Sequence, residues 1–438
     1  MISTFINAWK IADLRKKILF TAFIVLIFRI GAAIPVPFTN ITDGLVAGNE
    51  ENFMNYLNMM TGEAFNYGTI FAMSVTPYIN SSIIIQLLTV AIPALEKLSK
   101  EGEEGRKKIA TITRYTTIAL ALLQSTAYFI YLRSQNLVVV DANGNQFTGF
   151  SMVLQAIVVI SVLTAGSAFV MWLGEQVNDK GIGNGVSIIL FAGIVSRMPT
   201  LVTMMWQYLQ YGGPYLALVP TVILVLLAMI AFIVWMDNAE RRIPVQYAKR
   251  VVGRKMYGGQ STHIPIKVNM SGVLPIIFAS SILSLPPTVQ MFIKAENLSQ
   301  GWQTFFGLFK STHWAYGIMY FVLILFFAYF YASIQYNPVE MANNIRKNSG
   351  MIPGIRPGKP TADYIQKILG RITLLGALLI SVIALFPILL TQFTQLIGRP
   401  MTLSLGGTSL IIVVGVALET VKTLESQMMM RHYKGFLD

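Results

Sequence analysis

Apolar and polar positions in this chain do not alternate; they come in long blocks. Stretches long enough to cross a hydrocarbon core fall at roughly 18–36, 70–93, 110–132, 152–173, 184–203, 215–236, 270–292, 315–336, 370–391 and 406–425. Glycines and polar residues break up the fifth and tenth. The pattern predicts an all-α integral membrane protein with ten transmembrane helices. Before the first block, Ile2, Phe5, Ile6 and Trp9 share one helical face within residues 2–16. That arrangement suits a helix lying along the membrane surface. A secretory signal would also begin with a basic stretch, an apolar run and small residues. Here the basic region is long and nine further spans follow, which argues against one.

The block at 70–93 contains "TPYINSSIIIQLL", starting at Thr76, with a proline, an asparagine and two serines. An unsatisfied polar group in lipid costs several kcal/mol. These residues are therefore expected to face protein or water. Pro77 and Asn80 are read as interrupting a helix.

Composition strengthens the membrane reading. Hydrophobic residues make up 54% of the 438 and charged residues 12%, where a soluble domain has about 25% charged. Cysteine is absent, which excludes disulfides, zinc–thiolate sites and thiol chemistry. The net charge of +13 suggests nucleic acid only until its distribution is seen. Basic residues crowd the amino terminus (Lys10, Arg15, Lys16, Lys17) and the connections after the second, sixth and eighth spans. The opposite side holds only Arg133, Arg197, Lys294, Lys310 and Arg399, and Arg29 lies within the first span. By the positive-inside rule both termini are cytoplasmic.

Three connections stand out. The external segment 37–69 carries Asp43, Glu50, Glu51 and Glu63 and no basic residue. It ends in "LNMMTGEAFNYG", helix-compatible but too short to span. This is either a re-entrant or interfacial helix or a movable stopper in a cavity. The cytoplasmic connection 237–269 is rich in β-branched residues, tyrosine and glycine, which predicts a protruding hairpin. The connection 337–368 is stiffened by prolines. Attraction to anionic membrane lipids explains the charge of both, but a few lysines would serve that end; stiff basic loops suit a docking surface.

Chemistry of other kinds is missing from the pattern. "GIRPGKP" fails as a phosphate loop: only three residues separate Gly354 from Gly358, and Pro360 stands where Ser or Thr must reach Mg²⁺. "GIGNGV" at 181–186 follows no strand. The three histidines fall outside the spans and are expected in structural or solvent roles, with no metal, no cofactor and no enzymatic activity. The spans lack the acidic and lysine chains of ion-coupled carriers. They hold instead small polar residues, among them Asn80, Ser81, Gln86, Thr89, Gln124 and Ser280. These fit helix–helix hydrogen bonds or the lining of a wet passage. From pattern alone a solute transporter, a channel and a membrane scaffold all remain open.

Several long motifs narrow this. "TPYINSSIIIQLLTVAIP", "EGEEGRKK", "MWLGEQVNDKGIGNGVSIILFAGIVS", "AKRVVGRKMYGGQSTHIPIKVNMSGVLPIIFASSI", "NPVEMANNIRKNSGMIPGIRPGKPTADYI" and "GGTSLIIVV" occur in order over nearly the whole chain. The chain thereby resembles the SecY family of bacterial protein-translocase channel subunits. It departs in the external loops, in a short tail, and at Val75, where the family usually has a larger branched aliphatic residue. The resemblance implies two pseudo-symmetric five-helix halves, 1–206 and 207–438, around a central pore, hinged near 207–214. It implies a channel in the bacterial plasma membrane that conducts unfolded secretory polypeptides and releases transmembrane segments sideways into lipid. The implied pore ring is Val75, Ile79, Val186, Leu190, Ile277 and Ile412, and the plug is about 57–68. The implied lateral gate is Gln86, Thr89, Gln124, Asn269, Ser280 and Ser281. Docking falls to Arg254, Lys255, Arg356 and Lys359. Implied partners are the SecE and SecG subunits of a heterotrimer, the SecA motor ATPase, the ribosome and signal-sequence-bearing preproteins.

Overall fold

Helix boundaries follow the apolar blocks, with instructive departures at their ends. The computed structural model describes residues 2–41, 61–140, 146–247, 250–252, 255–257, 261–270, 272–283, 286, 299–309, 313–397 and 407–434. Helix α1 (Ile2–Lys10) stops at Ile11, and α2 (Ala12–Gly31) begins directly after it. Residues 12–16, expected in the surface helix, thus belong to the first span's helix instead. Ala8 is buried in a small cluster with Leu14, Ile182 and Leu424, while Ile6 and Trp9 stay exposed.

Helix α3 (Thr76–Ala91) corrects a second expectation. Pro77 sits in its first turn and the helix runs unbroken through Asn80. Proline at that position loses no hydrogen bond, because the first N–H groups of a helix have no partner within it. It starts this helix rather than interrupting it. The break comes later: Ile92, held extended by the following Pro93, turns the chain by 102° into α4 (Pro93–Lys100).

Helices α5 (Glu103–Ser134) and α6 (Phe150–Lys180) cross the N-terminal region. The fifth expected span is two helices in series, α7 (Gly185–Val195) and α8 (Met198–Tyr211), joined through Ser196 and Arg197. The "GIGNGV" turn that precedes them is held by polar contacts. Asn178 Oδ1 accepts from Gly185 N at 2.7 Å, Asn184 caps α7 through Ser187 N, and Thr21 Oγ1 accepts from Ile182 N at 3.2 Å. After α8, Gly212 and Gly213 turn the chain into α9 (Tyr215–Asn238).

The C-terminal region holds α10 (Leu274–Leu283), α11 (Gln300–Gly307), α12 (Trp314–Gln335), α13 (Pro338–Lys347), α14 (Lys359–Ile397) and α15 (Gly407–Lys434). His313 Nδ1 caps α12 by accepting from Ala315 N, a structural role as expected. Among the described residues seven helical units are long and apolar enough to cross a membrane, or eight with the bent α3–α4 pair. The other two expected spans correspond to α2, which carries several charges, and α10, after which most residues up to 298 lie outside the described set. Leu216, Leu224, Leu227, Val322 and Phe326 remain exposed. An outer surface this apolar suits lipid, not water.

Side-chain packing divides into distinct cores. One lies within the N-terminal region, around Phe65, Met73, Tyr128, Leu132 and Leu163. A second joins α9, α10, α12, α14 and α15 through Ile233, Ile276, Phe278, Ile324, Ile383 and Leu410, and takes in Ile83 of α3. A third straddles the two regions, drawing Phe28, Val75, Val170 and Ile189 together with Val219, Ile412 and Val416.

The expected hairpin in 237–269 is present. Strands β1 (Glu240–Tyr247) and β4 (Ser261–Lys267) pair antiparallel, with β2 (Arg250–Val252) and β3 (Lys255–Tyr257) paired beyond them. β5 (Gly350–Met351) adds to the other edge of β1, giving the order β4-β1-β5. Beneath it Ile243, Val245, Ile266, Ile345, Ile352 and Ile365 form one core. The two long basic connections are therefore a single body.

Candidate functional site

Five of the six residues of the implied ring share one core. Val75, Leu190 and Ile412 are buried in the core that straddles the two regions, and Ile79 and Val186 pack against it. Ile277 belongs to the neighbouring C-terminal core, and Ile79 packs against that core as well. Their positions have separate causes. Val75 is the residue before α3, held by Ile79 N donating to its carbonyl. Val186 and Leu190 are one turn apart on α7, while Ile277 and Ile412 come from α10 and α15. The result is branched aliphatic carbon from four helical elements of both regions. Such a lining offers no hydrogen bond and resists wetting where it narrows a passage.

The polar residues of the implied seam are distributed along α3, α5 and α10. Thr89 Oγ1 donates to the Ile85 and Gln86 carbonyls of its own helix. Ser280 Oγ likewise donates to Ile277 O at 3.0 Å, and Ser281 is half-buried one position on. Asn269 is buried and its Nδ2 donates to Asp237 Oδ1 at 2.8 Å, at the foot of α9. Gln124 is half-buried on α5. Contact from α3 to α10 is apolar: Ile83 is buried in the same core as Ile276 and Ile277. The sequence reading missed one member. Tyr331 on α12 brings its phenol near Gln86, a meeting of the two regions that no local pattern announces.

Of the implied plug, residues 57–60 lie outside the described residues, and 62–68 form a set of turns that buries Gly62, Ala64, Phe65 and Gly68 within the N-terminal region and leaves Tyr67 exposed. Tyr128 Oη donates to Phe65 O at 2.7 Å, and the two rings lie 4.7 Å apart. Val36 N donates to Gly68 O, and Ile70 N donates to Ile34 O. Gly62 and Glu63 both take positive φ, 63° and 73°. A Cβ on Gly62 would stand 2.8 Å from Gly193 O, so only glycine allows this approach to α7. Glu63 Oε1 lies 3.6 Å from Arg197 Nε and accepts from Thr200 Oγ1 at 3.3 Å. Arg29 Nη1 donates to Ser196 Oγ at 2.9 Å and approaches Gly62 O at 3.5 Å. Both arginines had been counted only toward topology, although a charge inside a span is itself a signal of a site.

The docking candidates sit on the body formed by the two long basic connections. Arg356 is exposed in the turn between β5 and α14, where its carbonyl accepts from Thr361 Oγ1 at 2.9 Å. Gly354 and Gly358 flank it at φ 80° and 106°. Among the described residues no carboxylate forms an ion pair with it. Lys359 is exposed at the start of α14. Lys255 opens β3, and Arg254 lies outside the described residues.

Comparison with known proteins bears on the whole chain. The family model SecY matches residues 69–421. The protein translocase subunit SecY of Streptomyces galbus is 44% identical over 443 residues, covering 100% of both chains. That of Streptomyces coelicolor is 43% identical over the same length and coverage. Among solved structures, one described as a protein-conducting channel superposes with a TM-score of 0.61 at 18% identity, covering 94% of this chain and 92% of its own. A SecY structure concerned with how the plug domain stabilises the closed state gives 0.60 at 17% identity, with the same coverage. Sec61 in the canine ribosome–channel complex gives 0.56 at 16% identity, again covering 94% and 92%. At such identities these structures show the fold.

Proposed function

Because the chain belongs to the SecY family, we propose that its ten apolar stretches form two pseudo-symmetric five-helix halves around a central pore, with both termini cytoplasmic. The chain is a channel-forming subunit of the protein translocase, a multi-span membrane protein whose role is conduction rather than catalysis. It moves unfolded secretory polypeptides across the plasma membrane and releases transmembrane segments laterally into the bilayer. The halves are 1–206 and 207–438, hinged near 207–214.

One observation supports the mechanism: Val75, Ile79, Val186, Leu190 and Ile412 share one aliphatic core drawn from both regions, and Ile277 lies in the neighbouring core, with Ile79 packed against both. An apolar waist holds back ions, because wetting it costs more than leaving it dry. It also grips an inserted chain without fixed hydrogen bonds, so any sequence slides through. Segment 57–68 closes the waist as a plug. The seam between α3 and α10, lined by Gln86, Thr89, Gln124, Asn269, Ser280 and Ser281, opens toward lipid. Hydrogen bonds there exchange with water or with a passing chain, which keeps the opening cost low.

The cytoplasmic body supplies the driving contact. The Sec61 relative is described in complex with a ribosome, and a ribosome or the SecA motor docks here on Arg254, Lys255, Arg356 and Lys359. SecE and SecG complete the heterotrimer within the membrane. The experiment is reconstitution of the complex with an ATP-driven motor and a preprotein, scoring protease-protected substrate. Protection that requires both this chain and ATP is the expected result; protection without this chain overturns the reading.

A further inference from the structure

We propose that Arg197, assisted by Arg29, is the positioning residue that holds the plug in its seat by gripping Gly62 and Glu63. The proposal rests on the channel reading above and names the contacts that keep the resting channel closed.

Four observations converge on this point. First, Arg197 stands at the break between α7 and α8, with its side chain only 11% exposed; that of Glu63 is 28% exposed. A cation so removed from water needs a carboxylate nearby. Second, Glu63 Oε1 is its ion-pair partner at 3.6 Å, and Arg197 Nε has no partner within hydrogen-bonding distance. Third, Thr200 Oγ1, one helical turn along α8, donates to the same carboxylate oxygen at 3.3 Å. Fourth, Arg29 reaches from the last turn of α2 to Ser196 Oγ at 2.9 Å and toward Gly62 O at 3.5 Å. The backbone conformation agrees with the side chains. Gly62 and Glu63 are both left-handed, which presses the chain against Gly193 and presents the carboxylate to Arg197.

The geometry suits a catch rather than a permanent tie. The ion pair is shielded enough to select one seat for the segment. It is also longer than a hydrogen bond, so separating the partners sacrifices no optimal contact. The tighter anchors on the same segment, Tyr128 to Phe65 O and Val36 to Gly68 O, lie on the far side of Glu63 from residues 57–60. Release at Gly62–Glu63 thus leaves the anchoring contacts of residues 65–70 in place.

The test uses the complete translocase complex in planar bilayers, reading resting ion conductance with no substrate present. Deletion of 57–68 sets the conductance of an unplugged channel. Glu63→Gln and Arg197→Gln are each expected to raise resting conductance toward that level, on the order of tenfold above the parent, since removing one partner of a shielded pair is worth at least 1.4 kcal/mol or so. The double charge swap Glu63→Arg with Arg197→Glu is expected to restore the seal, a rescue that a merely structural role does not produce. Assembled complex is quantified for each variant, so that loss of folding is not scored as leak. If the deletion leaks while both single variants seal like the parent, the catch is overturned and the plug stands. A swap as leaky as the single variants also overturns the pairing. If the deletion itself does not leak, the plug assignment falls, and the catch with it.

Discussion

Gln246 of β1 stands opposite Met351 of β5 in an antiparallel ladder, so the connection after α9 and the connection after α12 share one sheet. Their common core has a mechanical consequence. Ile345 on α13 and Ile352 beyond β5 are buried with Ile243 and Val245 of the hairpin. Truncating Ile345 to Ala is expected to cost about 2–5 kcal/mol locally. Both connections should then loosen together. Limited proteolysis checks this: cleavage should accelerate within 240–267 as well as within 337–358. Acceleration confined to the second stretch would mean the two loops are independent.

Arg356 projects from this body without an ion-pair partner among the described residues, between two glycines of positive φ. Guanidinium makes directed, bidentate bonds that an ammonium cannot copy. Losing a partly desolvated arginine contact costs about 2–5 kcal/mol. Arg356→Glu is therefore expected to abolish motor-driven translocation while membrane insertion and complex assembly continue. Binding affinity for the motor or ribosome, compared among Arg, Lys and Glu at this position, decides between docking and lipid attraction. Wild-type behaviour of Arg356→Lys with only mild weakening in Arg356→Glu would assign the loop to lipid.

What sequence could reveal followed from the range of each signal. Span positions were legible because twenty or so apolar residues in a row are a local fact, and the hairpin was legible because β1 and β4 are close in sequence. β5 was not, since a pairing of two residues with a strand far back in the chain leaves no local pattern. The same holds for Gln86 with Tyr331 and for Glu63 with Arg197, each a meeting of distant segments. Pro77 misled for a different reason: proline marks a helix start as readily as a break, and only the direction of the following chain decides. The waist residues came from family resemblance, because a branched aliphatic residue in an apolar block carries no mark of where it points.

At the proposed waist, Ile79 packs against two cores at once, while Ile277 and Ile412 are each buried in one of them. Replacing any of the three by Asn puts an amide where only hydrocarbon surrounds it, and burying an unpaired polar group costs about 1–3 kcal/mol. The closed state loses stability, and the passage wets more readily. Resting ion conductance should rise, and preproteins with defective signal sequences should gain entry. Unchanged conductance in all three variants would remove these residues from the constriction.

At the proposed seam the Tyr331 phenol of α12 lies near Gln86 of α3, where the two can share a hydrogen bond. Tyr331→Phe removes the hydroxyl but keeps the ring, so the packing of α12 is preserved while one polar link between the halves is lost. A hydrogen bond of this kind contributes about 0.5–1.5 kcal/mol net, which bears on the equilibrium between closed and open seams. Tyr331→Phe is therefore expected to make opening easier, by roughly threefold to tenfold in population. The natural absence of cysteine gives a direct measurement. With Thr89→Cys and Ser281→Cys installed together, oxidation should join α3 to α10, block signal-sequence entry, and be reversed by reduction. Adding Tyr331→Phe should slow disulfide formation, because the closed seam is then populated less. Full oxidation with unimpaired translocation would show that these helices do not part during transport. Unchanged oxidation rates with and without the phenol would confine Tyr331 to packing.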